Sequence, residues 1–160
     1  MSATQHFADA ARAYVAWAEC PTVHGELREA FTARRLLARL IAGVVELPRE
    51  RADSEAPDIP AEDQRRVFER FGRLPFNYYS ECFDPLVVPA EEPVVADLAD
   101  DLADVWRDVK AGLLRYDAGD EAGAAWHWTL HFSAHWGLHA TAALYALQCW
   151  ISKEGDDRTW

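Results

Sequence analysis

Cysteines, basic residues and long apolar runs are all scarce in this sequence. Cys20, Cys82 and Cys149 are the three cysteines of the 160-residue chain, and they do not form the CxxC spacing of redox and zinc motifs. Because their number is odd and the N-terminus lacks the basic and apolar regions of a signal peptide, we predict reduced thiols in a cytoplasmic protein. No run of about 18 consecutive apolar residues occurs, so we expect no transmembrane helix.

The shortage of basic residues gives the chain a strong negative charge. It has 16 Lys and Arg against 27 Asp and Glu, for a formal net charge of −11. Most of this charge lies in residues 51–120, where 17 acidic and 8 basic residues leave a net −9. Binding to a nucleic-acid backbone needs concentrated Lys and Arg, so we expect no nucleic-acid partner. A basic protein partner would instead be attracted to this middle segment.

Apolar residues, by contrast, are abundant and follow a helical spacing. Half of the residues are apolar and 12% are aromatic, enough for one folded domain over residues 1–152 with a polar tail over 153–160. The apolar spacing predicts an all-α fold of about five helices packed as a bundle, without strands. The helices are expected over residues 4–19, 26–47, a short segment from 61, 93 to about 116, and about 121–152.

Two segments between the predicted helices differ in character. Residues 48–60 form a polar, acidic, proline-containing loop. Residues 73–93 hold four prolines, which exclude one continuous helix, but also many aromatic side chains. We therefore expect this second segment to be ordered and packed on the helices. The last helix is apolar nearly all round, as a central helix should be.

The last helix also contains the segment "WHWTLHFSAHWGLH" (126–139), with a histidine at every fourth position. This histidine stripe consists of His127, His131, His135 and His139. Each step of four residues advances about 40° around a helix, so the outer histidines should diverge by about a third of a turn. The preceding helix has an aspartate stripe at similar spacing, formed by Asp97, Asp101, Asp104 and Asp108. In antiparallel neighbours, Asp97 would lie level with His139 and Asp101 with His135.

Three interpretations of these two stripes stay open. The favoured one is structural, with solvated aspartates and one or two buried histidines that each have a hydrogen-bond partner. The second is a metal site formed by His135, His139 and Asp101. The third is a catalytic or pH-sensitive role, although no motif marks a nucleophile and no catalytic residue is predicted.

The tryptophans of the same segment have a simpler interpretation. Trp126, Trp128 and Trp136 point to different sides of a helix, so they do not form one stacking platform. We expect them to pack in the core, with each indole N–H finding an acceptor. The alternative is an aromatic-lined pocket for a small molecule.

Three blocks of sequence, in order, resemble the bacterial DUF5063 family of uncharacterised proteins. They are "LPFNYYSECFDPL" (74–86), "DDLADVWRDVKAGLLRYDAG" (100–119) and "HWGLHATAAL" (135–144). The resemblance implies an α-helical cytoplasmic domain without an established activity, and it does not extend to His127 and His131. The family-like positions are Tyr79, Asp84, Pro85, Asp100, Asp101, Asp104, Trp126, Trp128, His135, Trp136, Gly137 and His139.

Two functions remain as predictions. The first is a non-enzymatic protein-interaction module, similar to an immunity or adaptor protein, whose acidic middle segment binds a basic partner and which requires no cofactor. The alternative is a metal- or small-ligand-binding protein with a His/Asp cluster between the last two helices. The candidate binding residues are Tyr79, Asp84, Asp97, Asp101, Asp104, His135, Trp136 and His139.

Overall fold

The chain folds almost entirely into helices, as predicted. The computed structural model describes residues 1–52, 55 and 57–154, and its helices are α1 (Ala3–Glu19), α2 (Glu26–Val44), α3 (Ala61–Phe71), α4 (Leu98–Asp117), α5 (Glu121–His131) and α6 (Gly137–Glu154). A π-helical turn, Phe132–Trp136, joins α5 to α6 without a break. In the described ranges the chain therefore has five helices, of which the last runs from Glu121 to Glu154.

Short polar side chains set where several helices begin. The hydroxyl of Ser2 accepts a hydrogen bond from the N–H of Gln5 at the start of α1. The carboxylates of Asp97 and Asp120 cap α4 and α5 in the same way. Each cap satisfies a backbone donor that has no partner within its own helix.

A β-hairpin precedes α4, which corrects the prediction that the fold contains no strands. Strand β1 (Tyr78–Glu81) pairs antiparallel with β2 (Val94–Asp97), so that Tyr78 lies opposite Asp97. The predicted start of the fourth helix at Pro93 is also wrong, since residues 94–97 form ladder bonds with β1. β-Branched and aromatic side chains favour such pairing, but its formation depends on two segments that are far apart in sequence.

The core lies where α1, α2, α4 and the long last helix meet. Its largest fully buried side chains include Phe7, Tyr14, Trp106, Trp128 and Trp136. The indole N–H of Trp128 donates to the carbonyl of Val109, and that of Trp136 donates to the carbonyl of Trp128. The core-packing prediction is thus confirmed for these two tryptophans, whereas Trp126 is only partly buried.

Other predictions concern the ends and the loops. No helix within the described ranges is long and apolar enough to cross a membrane. Helix α6 continues through Glu154, so it includes the first two residues of the predicted tail, and residues 155–160 lie outside the described part of the chain. Residues 53, 54 and 56 of the predicted loop also lie outside it. The three cysteines are free thiols.

Candidate metal centre

The histidine stripe faces α4 along its whole length, because the π turn changes the direction of its second half. A π turn holds more residues than an α turn, so each residue advances less around the axis. His135 and His139 therefore stay on the same face as His127 and His131, and the predicted divergence is reduced. All four rings reach α4. His127 contacts the backbone carbonyl of Asp108, and His131 and His135 contact the carboxylate of the same residue. His139 contacts the carboxylate of Asp101.

Gly137 makes the π turn possible. A Cβ at this position would lie 2.3 Å from the carbonyl oxygen of Phe132 and 2.8 Å from its ring. Such contacts are far inside van der Waals distance, so a larger residue would force the turn to open. The direction of His135 and His139 thus depends on a glycine next to them.

His135 and His139 each use one ring nitrogen to bind a carboxylate of α4. Nδ1 of His135 lies 2.8 Å from Oδ2 of Asp108, and Nδ1 of His139 lies 2.7 Å from Oδ1 of Asp101. The other nitrogen of each ring, Nε2, points to Oδ2 of Asp104, at 3.5 Å from His135 and 3.6 Å from His139. Two nitrogens and one oxygen therefore converge, all within 4.8 Å of one another.

A second layer of side chains holds these carboxylates in place. The hydroxyl of Tyr79, on β1, donates a 2.5 Å hydrogen bond to the free oxygen of Asp101. Burial, followed by the hydrogen bond to Asp101 and then the negative charge of Asp101, raises the pKa of Tyr79, so it remains a donor. Oδ1 of Asp104 accepts from Gln64 on α3 and lies 3.4 Å from the guanidinium of Arg107. Side chains from α3, β1, α4 and the last helix therefore build the cluster.

The electrostatic field of the cluster is negative. Burial raises the pKa of Glu81 and Asp100, and the charges of neighbouring aspartates raise it further. The hydrogen bond to Asp101 raises the pKa of His139, in spite of partial burial. Burial acts against charge of either sign, but the contributions of the neighbouring aspartates all favour added positive charge, whether as protons or as a cation.

Comparison with known proteins places the chain in a family. The model of a domain of unknown function, DUF5063, matches residues 1–153. The chain belongs to the DUF5063 family. A crystal structure of protein BF1032 from Bacteroides fragilis matches it with a TM-score of 0.75 and 17% sequence identity, over 98% of this chain and 95% of that one. At this identity the likeness shows a common fold alone. Among curated proteins, no sequence matches significantly.

This DUF5063 protein brings together five of the eight candidate residues: Tyr79, Asp101, Asp104, His135 and His139. The register between the helices is shifted by about one turn from the expected one, because His139 meets Asp101 and not Asp97. As a result Asp104, and not Asp101, faces both Nε2 atoms. Asp101 instead binds the other ring nitrogen of His139, Nδ1.

The other three candidates have structural positions in the DUF5063 fold. Asp97 caps α4, and Asp84 accepts a hydrogen bond from the N–H of Leu86 in the hairpin loop. Trp136 is fully buried, with its ring against Phe132 and Phe7.

Several groups around the cluster were not among the candidates, Arg107 beside Asp104 among them. Asp108 continues the aspartate stripe, so its spacing could have identified it. Gln64 and Glu81 belong to α3 and β1, and no local pattern in the sequence connects either of them with the histidines.

Proposed function

We propose that this DUF5063 protein binds a divalent transition-metal ion through Asp104, His135 and His139. The observation that supports it is the orientation of the two imidazole rings. Each binds a carboxylate through Nδ1 and directs Nε2 at the third carboxylate, and in the neutral ring this Nε2 carries the lone pair that a metal ion needs. Carboxylates that bind the far nitrogen of a histidine are typical of metal centres, where they fix the tautomer and the orientation of the ring.

The distances and donor types suit a transition metal. Bonds of about 2.0–2.1 Å in a tetrahedral site separate neighbouring ligand atoms by about 3.3 Å. The observed Nε2–Oδ2 separations of 3.5 and 3.6 Å are close to this value, and all three ligand atoms lie within 4.8 Å of one another, so side-chain movements would complete the site. Two imidazoles and one carboxylate favour Zn²⁺ or Fe²⁺, whereas Mg²⁺ and Ca²⁺ prefer oxygen ligands alone.

Protons are the competing explanation of the same geometry. If both rings are imidazolium ions, each Nε2–H points to Asp104 and the cluster is a network of ion pairs that stabilises the helices. A metal and a proton cannot occupy the same Nε2 lone pair. Metal affinity near neutral pH therefore distinguishes the two explanations.

The test is titration of untagged, chelator-treated protein with Zn²⁺. We expect one equivalent to bind and to stabilise the fold by about 2.7 kcal/mol when free zinc is 100 times its Kd. Asp104→Asn should weaken binding strongly, because a neutral amide replaces the charged ligand. His6→Gln, which removes an exposed histidine on α1, is the matched control. A melting temperature that ignores zinc, manganese and iron would show that the cluster is structural.

The hairpin loop supports protein binding as a second proposed function. Phe83, Leu86 and Val88 are 81%, 88% and 87% exposed, which is unusual for large apolar side chains that follow one another so closely. Acidic residues, Asp84, Glu91 and Glu92, lie in the same loop. A basic partner with an apolar surface would complement both features.

A hairpin variant tests this second function. The triple variant Phe83→Ser, Leu86→Ser and Val88→Ser should lose capture of a partner from a host extract, whereas Tyr145→Ser, which changes an equally exposed site on α6, should retain it. Capture should also weaken as salt is raised, since charge contributes to it. If the two variants behave alike, the hairpin is not the binding surface. If salt has no effect, the acidic residues of the loop do not contribute to binding.

A further inference from the structure

The proposed metal centre has fewer protein ligands than an ion requires. In the described part of the chain, the converging group of metal-binding side chains consists of Asp104, His135 and His139 alone. Closed structural zinc sites use four protein ligands, whereas three ligands leave a position for water or substrate. The side chains of His135 and His139 are 34% and 29% exposed, so this position would be reachable from solvent.

The charges around the site determine which molecules can reach it. The carboxylates of Asp101, Asp104 and Asp108 together carry three negative charges, with Asp100 beside them, against two positive charges on the ion and one on Arg107. The loaded centre therefore has no net positive charge, unlike a zinc ion held by three neutral histidines, which keeps a charge of +2. An incoming anion would gain no net attraction.

Glu81, on the half-buried face of β1, adds to the negative charge around the cluster. Its carboxyl group interacts electrostatically with both Asp101 and His139. It would repel an incoming anion. The most suitable ligand is therefore a neutral Lewis base.

We propose that the metal ion of this protein keeps an exchangeable coordination position that takes neutral Lewis bases, such as amides and imidazoles, in preference to anions. This inference rests on the proposed metal-binding function. It makes carboxylates and phosphate esters poor ligands of the centre.

Cobalt-loaded protein offers a direct test. The visible spectrum of Co²⁺ reports its coordination, and the probes are imidazole, a neutral base with an N–H, and azide, an anion. After removal of free cobalt at about pH 8, where imidazole is neutral, imidazole should change the spectrum with saturation. Azide should require at least about tenfold higher concentrations, since charge opposes its entry. Glu81→Gln should tighten azide binding about 3- to 10-fold, and the control Glu91→Gln should leave it unchanged.

Each outcome has a distinct meaning. If cobalt does not bind, the proposed function itself fails. If cobalt binds but imidazole leaves the spectrum unchanged, the centre has no exchangeable position and this inference alone is wrong. A spectrum that responds to imidazole only in Glu81→Gln would show that Glu81 is the fourth ligand, which also overturns the inference. Equal affinity for azide and imidazole would contradict the preference for neutral ligands.

Discussion

His127 lies deeper in the core than the other histidines of the last helix. Burial, and then the proximity of His131, lowers its pKa to about 4, while Nε2 contacts the carbonyl of Asp108 at 3.1 Å. The folded protein thus keeps this ring neutral at pH values at which the unfolded chain, with a pKa near 6.5, already binds a proton. A single buried ring therefore makes stability depend on pH.

We predict that His127 contributes to acid destabilisation. As the pH falls from about 6.5 towards 4, its contribution should reduce the free energy of unfolding by up to about 3 kcal/mol. The glutamine of His127→Gln stays neutral, so this variant should lack that part of the pH dependence, even if its stability at pH 7 differs from that of the original protein. Urea unfolding at several pH values measures the difference between the two proteins. Parallel pH profiles would show that His127 does not titrate in this way.

A buried ion pair between Glu29 and Arg70 also makes the stability depend on pH. Glu29 accepts hydrogen bonds from the Trp17 indole, the His24 backbone and Arg70, whose guanidinium lies 3.0 Å away. Burial opposes ionisation, but these bonds outweigh it and lower the pKa of Glu29. Its stabilising effect is therefore present above a pH of about 4.5 and is lost below it.

Removing one partner of this pair should be costly. We predict that Arg70→Met destabilises the fold by about 3–5 kcal/mol, because it leaves the carboxylate of Glu29 buried without its cation. The control Arg66→Met breaks an exposed pair with Asp63 and should cost less than about 1 kcal/mol. Chemical denaturation measures both. Similar losses of unfolding free energy in the two variants would mean that the buried pair of Glu29 and Arg70 stabilises the fold no more than an exposed pair does.

At the scale of elements, the π turn is the feature that connects folding with the candidate site. It interrupts an otherwise regular helix between His131 and Gly137, and it directs His135 and His139 towards α4. π turns are often found at functional sites, where they change the direction of a side chain without breaking the helix. Here the turn requires a residue without a Cβ at one position.

We predict that Gly137→Ala destabilises the protein by about 1–3 kcal/mol, the usual cost of overpacking. It should also weaken zinc binding, because relief of the clash with Phe132 rotates His135 and His139 relative to each other. Gly72→Ala is the control, since its Cβ would meet only ordinary contacts of 3.5 Å or more. Unfolding and zinc titration measure the two effects. Unchanged zinc affinity in Gly137→Ala would show that zinc binding does not depend on the π turn.

At the scale of the whole molecule, the negative charge of the middle segment is concentrated by folding. Glu81 comes from β1, and Asp100, Asp101, Asp104 and Asp108 come from α4, yet all of them surround the same cluster. Burial and Asp101 raise the pKa of Glu81, so its ionised form is less favourable in the folded protein than in the unfolded chain. Above that pKa, the charge of Glu81 costs stability.

Neutralising Glu81 should therefore stabilise the metal-free protein. We predict a gain of a few tenths to about 1 kcal/mol for Glu81→Gln at neutral pH, allowing for its partial exposure to solvent. The gain should shrink as salt is raised, because the Debye length falls from about 30 Å at 0.01 M to about 8 Å at 0.15 M. Thermal unfolding at the two salt concentrations, with Glu91→Gln as the control, measures it. A destabilised Glu81→Gln variant would contradict this description of the field.

The helices could be predicted from the sequence because their signals are local. The spacing of apolar residues predicts α1 within one residue of its observed bounds, and the long last helix ends within two residues of the prediction. The hairpin could not be predicted in this way. Its strands are joined by residues 82–93, and neither strand is stable until it pairs with the other.

The sequence by itself also determined that the histidines form a stripe on one helix and the aspartates a stripe on the helix before it, because a spacing of three and four residues is a property of one helix at a time. Only the tertiary structure decided which atoms meet. The π turn at 132–136 rotates the second half of the stripe, and the turn at 118–120 sets the register at which Asp104, and not Asp101, faces both rings. The rotation depends on the close approach of Gly137 to Phe132 within the π turn, and Asp101 is held by Tyr79, a residue of another element. Such contacts leave no periodic pattern in the chain.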